Sequence, residues 1–356
     1  MDQIWWKQIP RANRFLYTAA EALLNNRSVI LPIQAVTPWR QTMHDMVEEI
    51  LNIENPRNRL ETFDCPEGDV GEYLFSKYCK REKRATYRRG TSYAAFLARS
   101  EDLVLNNCYL WVRNIRGRKL EEWTQFIVEY NRNLPPNRQP AVFLLETPEE
   151  EWRRKAVKGI QCIVFSESVD AYDSFAFCAL ASAGVSIAPA LRTYLAELCS
   201  TLCGQDIELC AACIRWGQQF LKAPEETLRE IAGKEIRSDG TPFVICFEGD
   251  SIRESIWKSQ IRALFPILQQ YRSTLVRQHY EEIARSLPIT TPFGEVIDDP
   301  QDVELGPLIS LAGRHSIFLS GEEYDLLDLF RDARNRLAHM KPVEFSVVNK
   351  ILSAQF

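Results

Sequence analysis

Ser28-Val-Ile-Leu-Pro-Ile33, running on into Gln34-Ala-Val-Thr-Pro-Trp-Arg40, is the stretch from which the fold is read. A short apolar run with no charge predicts a buried strand. Thr37-Pro38 then opens a helix, since proline is well placed in a first turn where its missing N–H is not needed. Met43, Met46, Val47, Ile50 and Leu51 carry that helix to about residue 53 at helical spacing. Upstream, Phe15, Leu16, Ala19, Ala22 and Leu23 predict an amphipathic helix over residues 10–26.

The same alternation repeats downstream. Strands are expected at Arg59–Asp64, Cys108–Val112, Ala141–Leu145 and Gly159–Phe165, with helices near 69–82, 91–104 and 118–132 between them. Five strands alternating with helices predict an α/β fold: a mostly parallel sheet covered on both faces. Beyond residue 168 the strand signals largely stop. Helices are expected at 168–183, 189–203, 206–222 and 225–233, a short extended piece at 241–247, and a long helical run over 251–286 bent at Pro266. Residues 287–319 read as loop, punctuated by Pro288, Pro292, Pro300 and Pro307. Helices at 321–338 and 343–353 close the chain. The expected division is an α/β domain over 1–168, a helical, lid-like connection over 169–248, and an all-α helical domain over 249–356.

Composition bounds the function. With 356 residues, 46% of them hydrophobic and 26% charged, the chain has material for two cores. A formal charge of -5 excludes coating nucleic acid by net charge but leaves local basic patches open. The first residues lack a signal-peptide pattern, and the uncharged run from Ser174 to Leu191 is interrupted by serines, Gly184 and Pro189, so no membrane contact is expected. Ten cysteines without a signal peptide then point to reduced thiols in a cytoplasm. Four of them, Cys199, Cys203, Cys210 and Cys213, fall close together on predicted helices. They are read as core, with a zinc site as the alternative.

One segment gathers groups able to bind phosphate and move a proton: Arg331-Asp-Ala-Arg334-Asn335-Arg336-Leu-Ala-His339. It ends a helix that Ser320-Gly-Glu-Glu323 starts with a capping box. Basic clusters also occur at 80–89, 113–119 and 153–155. The first of these includes Arg84, Arg88 and Arg89 around Tyr87, a pairing of charge and ring suited to nucleic acid. A solvated, ion-paired face is the other reading of that cluster.

The element order over residues 10–170 resembles the core of AAA/STAND-type P-loop NTPases. In such folds the loop after the first strand carries glycines and a lysine around the phosphates. Here that loop is Gln34–Arg40, with neither residue, and the third strand runs into Arg113-Asn114 where magnesium-binding acids are expected. ATP hydrolysis is therefore not expected, and no cofactor is. Arg40 at a helix start still suits an anion, or simply packs with Trp39.

The segment Arg334-Asn335-Arg336-Leu337-Ala338-His339 resembles the Arg-polar-three-residues-His motif of HEPN domains, the resemblance covering about 250–356 as a helical bundle. It implies metal-independent RNA cleavage across a homodimer. Arg334 would hold the scissile phosphate, His339 transfer the proton and Asn335 orient either one, with Arg331 and Arg336 beside them for RNA contact. Combined with a degenerate NTPase-like front, it resembles components of prokaryotic antiphage or toxin complexes. Two functions stay open: an endoribonuclease, or a non-enzymatic adaptor in which both halves serve assembly with partner proteins.

Overall fold

The computed structural model describes residues 1–88, 90–100, 105–136, 138–153, 155–245, 249–291, 294 and 296–356. The chain forms two compact units: Met1–Asp173 together with Asp206–Glu208, and Ser174–Gln205 together with Leu209–Phe356. Among the described residues, no helix is long and apolar enough to cross a membrane.

In the first unit, β1 (Ser28–Ile33), β2 (Arg59–Asp64), β3 (Cys108–Arg113), β4 (Val142–Pro148) and β5 (Ile160–Cys162) form a parallel sheet in the order β2-β3-β4-β1-β5. Val29 pairs with Leu144, Leu110 with Phe143, Leu60 with Tyr109, and Ile30 with Cys162. The central strands β1, β3 and β4 are buried along almost their whole length, as apolar runs covered on both faces must be. The edge strand β2 keeps Arg59, Glu61 and Asp64 at the surface or half-buried. Flanking the sheet are α1 (Pro10–Leu24), α2 (Arg40–Glu54), α3 (Val70–Tyr78), α4 (Tyr93–Arg99) and α5 (Arg118–Asn133). Trp123, Ile127 and Tyr130 of α5 share a core cluster with Leu110, Phe143 and Leu145. There the Tyr130 hydroxyl accepts the Ala141 N–H at 3.1 Å, so its polar tip is satisfied.

The expected start of α2 at Thr37-Pro38 is corrected to Arg40. Gln34 N–H donates to Thr37 Oγ1 and Thr37 N–H donates back to Gln34 O, closing a turn, and Trp39 takes a φ of 42°. The helix expected over 69–82 stops at Tyr78, with a separate turn at Arg81–Arg84. Positions 101–104 of the expected 91–104 helix lie outside the described residues, as do 246 and 247 of the expected 241–247 piece.

Past residue 170 the chain is mostly helical: α6 (Ala171–Ser182), α7 (Pro189–Cys203), α8 (Ile207–Trp216), α9 (Pro224–Lys234), α10 (Gly249–Gln278), α11 (Leu305–Gly313), α12 (Gly321–Ala338) and α13 (Phe345–Ser353). In the second unit α10 packs on α7, α12 and α13. It runs unbroken through Pro266 and ends before His279, so the expected 251–286 run is two helices, the second over Tyr280–Arg285. Proline costs a helix about 3 kcal/mol, which the full burial of neighbouring Leu264 and Leu268 offsets. The expected 206–222 helix breaks at Gly217, whose φ of 52° needs glycine and whose added Cβ would press on Val185. The largest departure is α11, inside the region read as loop. Leu305, Leu308, Leu311 and Ala312 are buried at helical spacing, and Pro307 sits in the first turn, where it removes no hydrogen bond. A small antiparallel pair, β6 (Ile289–Thr290) and β7 (Val296–Ile297), precedes it.

Candidate functional site

The carboxyl ends of β1 and β4 form the topological switch point of the sheet, where open α/β folds bind ligands. The crevice there holds only about 90 Å³ and is lined by Ile33, Arg40, Asn114, Arg116, Glu146 and Glu150. Small-molecule sites usually occupy roughly 300–1,000 Å³. Arg40, Asn114, Glu146 and Thr147 of its lining are engaged by the protein itself. Arg40 Nη2 donates to Gln34 O at 2.8 Å, and the Trp39 N–H donates to the carboxylate of Glu208, which belongs to the same unit. Arg113 pairs with Asp64 at 3.2 Å, and Asn114 donates to the same carboxylate. Glu146, 3% exposed near the end of β4, accepts from Trp111 Nε1 at 3.0 Å and lies 3.0 Å from His44 Nε2, an arrangement the sequence reading missed. A lone acid within an apolar strand run was the available signal.

Among the basic clusters, Arg84 is bound within the fold. Its guanidinium donates to the carbonyls of Cys79 and Ser76, satisfying the exposed end of α3. Tyr87 stacks on Tyr93 at 5.0 Å and 11°, and its hydroxyl donates to Thr91 O, so the ring has an internal partner. Arg88 is exposed; Arg89 and Arg154 lie outside the described residues.

Cys199, Cys203, Cys210 and Cys213 are buried on α7 and α8. Cys203 and Cys213 sulfurs are 3.6 Å apart, and Cys210 donates to Cys199 O. Burial pushes the Cys199 thiol well above its ordinary range, and the hydrogen bonds that the Cys203 thiol makes with Cys210 and Cys213 do the same for Cys203. All four are buried among apolar neighbours, as packing groups are. Among the described residues no group of three or more His, Cys, Asp or Glu is arranged to hold a metal ion.

The C-terminal segment behaves differently. Ser320 Oγ accepts the Glu323 N–H and Glu323 returns a carboxylate to the Ser320 N–H, completing the capping box that starts α12. At its other end His339 is the cap, and Met340 at φ 56° turns the chain. Lys341 N–H reaches Arg336 O at 2.9 Å and Met340 N–H reaches Leu337 O at 3.1 Å, a Schellman closure made without glycine. Three side chains hold this end. Arg336 donates to Pro342 O, Trp257 Nε1 to Leu337 O at 2.7 Å, and buried Gln260 exchanges two hydrogen bonds with the Val343 backbone.

Arg331, Arg334 and Asn335 line an open cleft of about 940 Å³ in the second unit. Its other walls are α11, the β6–β7 pair, Arg272 of α10 and residues 301, 302 and 304, contributing Asp302, Glu304 and Arg314. Arg331 is tied to Asp328 and Asp332 at 2.6 and 2.7 Å, and its hydrogen bond to Asp332 makes it still harder to deprotonate. Arg334 has a looser contact, 3.9 Å from Glu304. Asn335 and His339 are exposed, and no side-chain partner for either occurs among the described residues. His339 does not line the cleft: five residues of helix turn it about 140° away from Arg334. Glu304 and Arg314 were missed because the region carrying them was read as loop. The Leu305, Leu308, Leu311 spacing was the signal that could have found them. His279 pairs with Glu282 at 2.8 Å, and His315 is exposed.

No protein-family model matches this chain, and no curated protein matches it.

Proposed function

We propose that this chain is a metal-independent endoribonuclease of the HEPN type, working as a homodimer within a prokaryotic antiphage or toxin system. The observation that supports it is a division among the polar residues of α12. Arg331 and Arg336 have their donors taken up by Asp328, Asp332 and Pro342. The residues matching the motif, Arg334, Asn335 and His339, are the loosely held ones. Side chains kept for packing would be expected to have partners.

In this reading the 2′-hydroxyl beside the scissile phosphate attacks phosphorus as His339 takes its proton, and the 5′-oxygen leaves. Arg334 stabilises the charge building on the phosphoryl oxygens, and Asn335 orients the phosphate. Because His339 points away from the Arg334 cleft, the imidazole acting there would come from the second copy. We read the first unit as a degenerate NTPase-like scaffold. Its small crevice, about 90 Å³, favours a role in assembly over nucleotide chemistry.

The test is incubation of the purified protein with total RNA in EDTA, beside Arg334→Ala and His339→Ala. Wild type is expected to cleave and each variant to lose at least 100-fold, within the range of acid–base catalysis. Mixing the two variants should restore part of the activity through hybrid dimers. Cleavage that survives both changes, or a wild type inert with RNA and its genomic neighbours present, sinks the proposal.

A further inference from the structure

The crevice beside β1 and β4 contains a buried carboxylate that the protein only half uses. Register places Leu144 opposite Trp111, and Glu146, two residues on, shares the face of Leu144. The Trp111 indole is therefore a diagonal neighbour of the carboxylate, and α2 lays His44 against the same indole at 4.3 Å. Both groups meet a single oxygen. Trp111 Nε1 donates to Glu146 Oε2 at 3.0 Å, and His44 Nε2 lies 3.0 Å from that same atom. His44 Nδ1 is buried with no hydrogen-bond partner. A bare acceptor is easier to bury than an orphaned N–H, so the imidazole proton sits on Nε2, where the carboxylate accepts it.

Glu146 Oε1 has no hydrogen-bond partner among the described residues. The atom is not sealed off by protein, and Glu146 lines the crevice, so Oε1 faces that space. Leaving a carboxylate oxygen unbonded at 3% exposure costs free energy that a donor from a ligand would recover. Opposite charge is present in the same lining. Arg40 spends Nη2 on Gln34 O and leaves Nη1 without a partner, and Arg116 is exposed with no side-chain partner among the described residues. Glu150 adds a second, exposed carboxylate.

Two carboxylates and two guanidiniums cancel in net charge. A simple anion would meet Glu146 and Glu150, and a simple cation would meet Arg40 and Arg116. A molecule with one charge of each sign finds a partner for both. Size narrows the choice. At roughly 10–15 Å³ of such space per water-sized group, a crevice of about 90 Å³ takes roughly six to nine non-hydrogen atoms. That excludes a nucleotide and admits the smaller α-amino acids.

We infer that the crevice binds a small α-amino acid with an uncharged side chain. Its ammonium donates to Glu146 Oε1, and its carboxylate accepts from Arg40 Nη1 and Arg116. The site is independent of the nuclease reading, which concerns the second unit.

Isothermal titration calorimetry and melting curves of the full-length protein, with alanine, serine, proline and valine as probes, test the site. At least one should bind, one molecule per chain, and raise the melting temperature. Its N-acetyl and amide derivatives, each lacking one charge, should bind at least about tenfold more weakly, the scale of one hydrogen bond to a charged group. Glu146→Gln should weaken binding by a similar factor, since its amide oxygen still accepts from Trp111 but carries no charge. Arg116→Ala, at an exposed position, should weaken binding several-fold with its melting temperature intact. The inference is overturned if none of the four amino acids binds at millimolar concentration. It is also overturned if inorganic phosphate or ADP binds as tightly as the best amino acid, or if Arg116→Ala and both derivatives behave like the parent pair. Should Glu146→Gln fail to fold, Arg116→Ala and the derivatives decide the matter. RNA cleavage is not a readout, so either proposal can fail without the other.

Discussion

Removing Gln260 probes how the motif is held. This side chain is 2% exposed on α10, and it both donates to Val343 O at 2.9 Å and accepts from Val343 N–H at 2.8 Å. No other residue is bonded to that peptide group among the described hydrogen bonds, so Gln260→Ala orphans a buried donor and a buried acceptor together. Each orphan costs about 1–3 kcal/mol, and the vacated volume adds to this. Some relief is expected where water enters, giving about 3 kcal/mol in all. For a unit of about 180 residues that lowers the melting temperature by roughly 6–12 °C. Calorimetry measures the loss, and hydrogen exchange at the Val343 amide shows whether it arises at this clamp. Gln260→Glu adds a sign check. Near pH 7 a carboxylate still accepts from the N–H but confronts the Val343 carbonyl with negative charge, so the variant should recover on acidification as it gains a proton to donate. A loss below about 1 kcal/mol in Gln260→Ala, or an unchanged Val343 exchange rate, would refute the clamp. RNA cleavage should fall with stability in this variant, because the clamped segment follows His339 directly.

Two further outcomes follow from α12. Arg336→Ala should destabilise the unit by about 1 kcal/mol, the value of an ordinary hydrogen bond, through loss of the bond to Pro342 O, whereas Arg334→Ala should leave the melting temperature within about 1 °C and change only RNA binding and cleavage; comparing melting curves of the two variants checks this. The Glu323 carboxyl is held below its ordinary range by its hydrogen bonds to the Ser320 backbone and side chain. A lowered folded-state pKa means stability present at neutral pH and lost as pH falls through that value, so Glu323→Gln should melt below wild type at pH 7 and converge with it towards pH 3.

The parts of the fold legible in the sequence were those where burial dictates composition. Val29 to Ile33, Cys108 to Val112 and Val142 to Leu145 had to be apolar because helices cover both faces of the sheet, and their runs marked the strands within a few residues. The capping box at Ser320 was legible because two side chains at fixed spacing satisfy orphan N–H groups. What stayed hidden depended on contacts far apart in sequence. Arg84 looks like any exposed arginine until the carbonyls of Ser76 and Cys79 are seen to end α3 beneath it. Glu146, His44 and Trp111 are separated by up to 102 positions, and no local pattern joins them. Proline density hid α11, since Pro300 and Pro307 signal a break while Pro307 is in fact tolerated in a first turn.

Spacing alone cannot rank the three arginines within Arg331–Arg336, which are chemically identical and all on one helix. Tertiary surroundings separate them. Arg331 is held locally by Asp328 one turn back and by the adjacent Asp332; Arg336 meets the carbonyl left by the turn at Met340 and Pro342. Arg334 faces α11 and finds only a distant carboxylate. Helical geometry then keeps His339 away from that cleft, so a single chain offers the phosphate-binding group and the proton-transfer group on different faces. If the segment is catalytic, the missing half of each site has to arrive from outside. Under that reading Arg334 and His339 are bound to lose activity separately and to complement each other in a mixture, a result that a single-chain active site could not give.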